Sequence, residues 1–113
     1  MTSPKLENLV ETGQLKREPP DQQEFIGLVR SAWARLNDAR NETLSLESRF
    51  DLAYNASHAL ALAALRRNGY RSDTRFIVFQ CLQHTLGLGP EVWRVLSHSH
   101  NVRNRASTRD FSS

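Results

Sequence analysis

Ser45-Leu46-Glu47-Ser48-Arg49-Phe50-Asp51-Leu52-Ala53-Tyr54-Asn55-Ala56-Ser57-His58-Ala59-Leu60-Ala61-Leu62-Ala63-Ala64-Leu65-Arg66-Arg67-Asn68-Gly69 is the stretch on which the fold turns. Ser45 is suited to cap a helix N-terminus, and Gly69 to the left-handed position that follows a helix end. The spacing predicts one long helix from about Leu46 to Asn68. Phe50, Ala53, Tyr54, Ser57, Leu60, Ala61, Ala64 and Leu65 lie along one side of it. Its alanines let a neighbouring helix approach closely, which makes it the expected centre of the molecule.

Upstream, Ser3-Pro4 reads as an N-cap followed by proline in the first turn. Leu6, Leu9 and Val10 are helically spaced, and Gly13 is the stop. Residues 1–20 are therefore expected to hold a short helix and a linker broken at Pro19-Pro20. Asp21, with Glu24 three residues on, forms a capping-box pattern opening a second helix. That helix should reach about Ala39, with a broad stripe of Phe25, Ile26, Leu28, Val29, Ala32, Trp33, Leu36 and Ala39.

Downstream, Asp73 is the expected cap of a fourth helix holding Phe76, Ile77, Phe79, Cys81 and Leu82, with Gly87-Leu88-Gly89 ending it. Phe76-Ile77-Val78-Phe79 also suits a strand, but a lone strand has nothing to pair with, so a helix is expected. Pro90 starts a last helix to about Ser107, with Val92, Trp93, Val95, Leu96 and Val102 on its apolar face and 110–113 as a tail. The sum is an all-α chain: an antiparallel bundle of four to five helices over 21–109.

No apolar run is long enough to span a bilayer, and the first residues lack a basic stretch followed by an apolar one. The lone Cys81 excludes an internal disulfide, so a reducing, cytoplasmic setting is expected. Charge is uneven. Residues 1–51 carry seven Lys/Arg against nine Asp/Glu, whereas 52–113 carry eight Arg against Asp73, Glu91 and Asp110, so the chain's net +3 is gathered in its second half. Such asymmetry suits an acidic or nucleic-acid partner, or a plain solvated basic face.

No Gly-rich phosphate loop, zinc-ligand cluster or Gly-x-Ser-x-Gly elbow occurs. His98 and His100, two apart, point to different faces of a helix and cannot chelate one metal, so neither metal nor cofactor is expected. Cys81 lies in an apolar stretch and reads as a buried, inert thiol. The segment 94–109 remains, with Arg94, Arg103, Arg105 and Arg109, two His and no acid. Helical spacing puts His98, Asn101 and Arg105 on one side and His100, Arg103, Asn104 and Ser107 on another. Arginine forks match phosphate oxygens, and a neutral His nearby can move a proton from a ribose hydroxyl. The same cations also complement the dipole at a helix C-terminus.

The order of these features resembles the HEPN superfamily (higher eukaryotes and prokaryotes nucleotide-binding), as a small stand-alone bacterial member. Ser48-Arg49-Phe50-Asp51-Leu52-Ala53-Tyr54-Asn55-Ala56, Ala63-Ala64-Leu65, Asn68-Gly69-Tyr70-Arg71 and the late His100-Asn101-Val102-Arg103-Asn104 carry the resemblance, over roughly residues 22–109. It implies a helical homodimer with facing Arg-Asn helices. Some members are metal-independent RNases whose motif is Arg followed, after four to six residues, by His. Others bind nucleotides or pair with a small nucleotidyltransferase in toxin–antitoxin systems. Arg103 and Asn104 match the motif's first two positions, but Thr108, Arg109 and Asp110 stand where the His belongs. Arg94 and His100 have the right separation without the Asn, and His84 or His98 are alternative proton carriers. The resemblance thus favours a noncatalytic module binding nucleotide or RNA through Arg94, Arg103, Asn104, Arg105 and Arg109, or a partner protein. The alternative is an RNase with a displaced motif.

Overall fold

Small polar residues start the helices. The computed structural model describes residues 3–89, in the order α1 (Pro4–Glu11), β1 (Lys16–Arg17), α2 (Gln22–Ala39), α3 (Leu46–Arg67), β2 (Tyr70–Arg71), α4 (Arg75–Gln80) and α5 (Leu82–Thr85). Asp21 accepts from the amides of Gln23 and Glu24, and Ser45 from that of Ser48, each satisfying donors the first turn would otherwise leave open. Asn68 ends α3 and Gly69 follows at φ +91°, a conformation that favours glycine. The expected last helix, 90–107, lies outside the described residues.

Two local expectations are corrected. Asp73 is not the cap of α4: Thr74 holds that position, and its amide donates to Ser72 Oγ in a local turn that brings the chain out of β2. The fourth helix is also not continuous to the glycines. It divides at Cys81, whose carbonyl accepts from both His84 and Thr85 amides, a tightened turn that separates α4 from α5. The β-forming run Phe76–Phe79 is helical, as expected.

Lys16 and Arg17 pair antiparallel with Arg71 and Tyr70, and Glu18 N donates to Gly69 O at 3.0 Å. The segment after α1 is therefore zipped to the turn after α3. Helices dominate the described residues, and this two-residue pairing is the one sheet among them.

α3 is the central element. On one side it joins Leu6, Leu15, Tyr70, Val78, Phe79, Cys81 and Leu82 through Tyr54, Ala61 and Leu65. On another, Ala56 and Ala59 meet Ala32 of α2, flanked by Leu28 and Leu36. That alanine seam lets two backbones lie close. The α2 stripe is broader than the seam, so Ile26 and Trp33 are left outside it, Trp33 being 63% exposed. No helix of the described residues is long and apolar enough to cross a membrane.

Candidate functional site

Arg66 occupies an interior position near the end of α3. It follows Ala56, Ala59 and Ala63 on one helix face, and only 1% of it is exposed. Its guanidinium is fully used. Nε donates to Glu24 Oε1 at 2.7 Å, Nη1 to the carbonyls of Glu18 (2.9 Å) and Tyr70 (3.3 Å), and Nη2 to Pro19 O (2.7 Å). Glu18 Oε2 stands 3.2 Å from Nη2. A buried arginine is tolerable only when paired and hydrogen-bonded in this way.

Arg71 closes the node by donating to Glu18 Oε2 (2.7 Å) and to Glu24 Oε2. Hydrogen bonds from Arg66 and then Arg71 hold the Glu24 carboxyl below its ordinary 4.5, outweighing desolvation. Glu24 therefore serves the node instead of returning to the α2 cap as the capping-box pattern suggested. A neighbouring cluster repeats the logic. Arg17 Nε donates to Glu7 Oε2 at 2.9 Å, and Tyr70 OH to Glu7 Oε1 at 2.6 Å. Burial first, and then the Glu7 hydrogen bond, push the Tyr70 phenol up to about 12.

The next residue, Arg67, faces outward. Its guanidinium carbon lies 6.0 Å from the centre of the Phe25 ring, in cation–π range, and it has no ion pair among the described residues. This pair stands at the edge of a groove of about 550 Å³, within the size range of small-molecule sites. Phe25 and Val29 of α2 and Leu60 and Ala63 of α3 supply apolar wall, closed by Leu86 after α5. Asn68 and Thr85 add polar atoms, and Thr85 Oγ1 is buried with no hydrogen-bond partner among the described residues. The groove can hold an apolar body and pair one anionic end.

Arg94, His98, His100, Arg103, Asn104, Arg105 and Arg109 lie outside the described residues. Of the other residues considered for chemistry, Cys81 is buried, and desolvation pushes its thiol up to about 11, so it is a poor nucleophile as expected. His84 is half-buried on α5, its pKa lowered from 6.5 by desolvation and then by Lys5. His58 meets the Phe79 ring edge-on at 5.8 Å. Among the described residues no three His, Cys, Asp or Glu gather as a metal site. Nothing in the apolar spacing of α3 singles out Arg66 or Arg67, which lie off the stripe from Phe50 to Leu65. Compared with protein-family models, curated proteins and solved structures, the chain matches none of them.

Proposed function

We propose that the chain is a noncatalytic, HEPN-like helical module that binds RNA or nucleotide through its basic C-terminal segment and works as a homodimer. The partition of charge carries this reading. Residues 3–89 hold eleven Lys/Arg against ten Asp/Glu, close to balance. Within that span Glu7, Glu18 and Glu24 are engaged by Arg17, Arg66 and Arg71. Beyond it, Arg94, Arg103, Arg105 and Arg109 meet only Glu91 and Asp110 in sequence. Four arginines against two acids, with no acid between 92 and 109, leave a net positive stretch that suits phosphate, which arginine forks match geometrically. The resemblance carried by Arg103-Asn104, without a His at 108–110, supports binding over cleavage. The exposed Ile26 and Trp33 of α2 offer apolar surface for a second copy.

Fluorescence anisotropy with a labelled single-stranded RNA, and with nucleotides as competitors, tests the reading. Binding should weaken as salt rises and fall in Arg103→Ala. Absence of salt-sensitive binding would leave a protein partner, such as a small nucleotidyltransferase, as the object of the segment. RNA cleavage in EDTA that is lost in Arg103→Ala would replace binding by an RNase activity. Sedimentation across a concentration series tests the dimer, and a monomer throughout would remove that part of the reading.

A further inference from the structure

We propose that the groove between α2, α3 and α5 is a binding site for a small amphipathic monocarboxylate, with its chain on Phe25, Val29, Leu60 and Leu86 and its carboxylate on Arg67. The proposal does not rest on the function of the basic C-terminal segment. Three observations converge. The walls are aliphatic and aromatic, and no acidic residue of the described span lines them. Among the described residues the cation at the rim has the Phe25 face as its contact and no carboxylate partner, which leaves its hydrogen-bonding edge for an anion. The nearby Asp21 caps α2 through Oδ1 and makes no ion pair with Arg67 among the described residues.

Polar atoms at the rim add acceptor and donor capacity. Asn68 donates its side-chain amide to Ala64 O at 2.7 Å, which leaves its oxygen to accept, and Thr85 Oγ1 is buried without a partner. An ordered water can donate to both a bound carboxylate and the Asn68 oxygen, whereas Thr85 Oγ1 is closed off in the groove wall. Leu60 to Arg67 spans about 10 Å of helix, room for one medium-length chain lying along α3. A cationic amphiphile would meet Arg67 with like charge, and a neutral one would gain only the apolar contact.

The test uses the full chain and three ten-carbon probes kept below micelle formation: decanoate, 1-decanol and decyltrimethylammonium. Titration calorimetry should show saturable one-to-one binding of decanoate, about fivefold or more tighter than either other probe, the margin expected of a charge-assisted contact at a partly exposed site. Amide shifts in the nitrogen–proton correlation spectrum should concentrate at Val29, Ala63, Ala64 and Thr85. Arg67 is exposed, so Arg67→Glu should fold normally and reverse the order in favour of the ammonium probe, while Arg67→Lys should retain the decanoate preference. Three results would overturn the proposal: equal binding of all probes, an order unchanged in Arg67→Glu, or shifts elsewhere on the protein. Decanoate binding that falls as protein concentration rises would assign the groove to a second copy instead.

Discussion

A single side chain, Arg66, ties the turn at Tyr70 to the linker at Glu18 and Pro19 and to the Glu24 side chain at the start of α2, 42 to 48 residues earlier in the chain. Replacing it with Met leaves three backbone carbonyls without their donor and two carboxylates facing Arg71 alone. Arg66→Met should lower unfolding free energy by about 3–5 kcal/mol, read from urea melts. Glu24→Gln should be milder, about 1–2 kcal/mol at neutral pH, because Glu18 still serves both arginines. Its pH dependence identifies the cause. The folded Glu24 pKa is depressed, so its contribution is complete above about 4.5 and is lost as pH falls through the lowered value. The gap between the two proteins should therefore close in acid, and a gap that stays constant would assign the loss to packing. Tyr70 gives an optical test of the adjoining cluster. Its phenol should titrate at about 12, and Glu7→Gln should bring it down while burial keeps it above 10. A folded pKa above the unfolded one means that this contribution persists to about pH 10 and fades as pH rises towards 12.

At the scale of elements, the glycines of the helical region have opposite roles that mutation should separate. Gly69 sits at φ +91°, and a Cβ there would be 3.9 Å from Glu18 O, in ordinary contact, so Gly69→Ala meets backbone strain and no clash. It should destabilise by about 1–2 kcal/mol. Gly27 lies inside α2 with open space where a Cβ would go, so Gly27→Ala should stabilise by about 0.5–1 kcal/mol. Thermal melts of the two variants should move in opposite directions. These elements were legible because their signals are local: Asp21 and Ser45 at helix starts, Gly69 at a helix end, alanines through α3. What was not legible depends on pairing across distance. Two-residue strands such as Lys16–Arg17 and Tyr70–Arg71 are too short to carry an alternating pattern, and they form because Glu18 and Arg66 hold their flanks together. Glu24 fitted a capping box by spacing alone, whereas the buried guanidinium 42 positions later decided its partner. Arg66 follows Ala59 and Ala63 on a face of α3 that the Phe50–Leu65 stripe does not include, so its burial emerges only from the packing.

For the whole molecule, the division of labour among arginines is the main inference. Those at 17, 66 and 71 neutralise carboxylates within the fold, and Arg67 stands over an aromatic ring at the groove edge. Arg94, Arg103, Arg105 and Arg109 lie beyond the described residues, in a sequence with few acids. If those four are the cations that meet RNA, the dependence on salt is bounded. Each phosphate neutralised on a single strand contributes about −0.7 to the slope of log K against log salt, so four contacts give a slope no steeper than about −3 per chain. Arg103→Ala should weaken binding and make the slope shallower by about 0.7, whatever the RNA sequence. Arg66→Gln would alter folding stability without changing the slope of the protein that remains folded, because its guanidinium is enclosed by Glu24 and backbone carbonyls. A slope near zero, or one that Arg103→Ala leaves unchanged, would show that RNA is not held by these cations. Adding decanoate should leave the slope intact, since the groove at Arg67 and the C-terminal segment are proposed to bind different anions; a common loss would join them into one site.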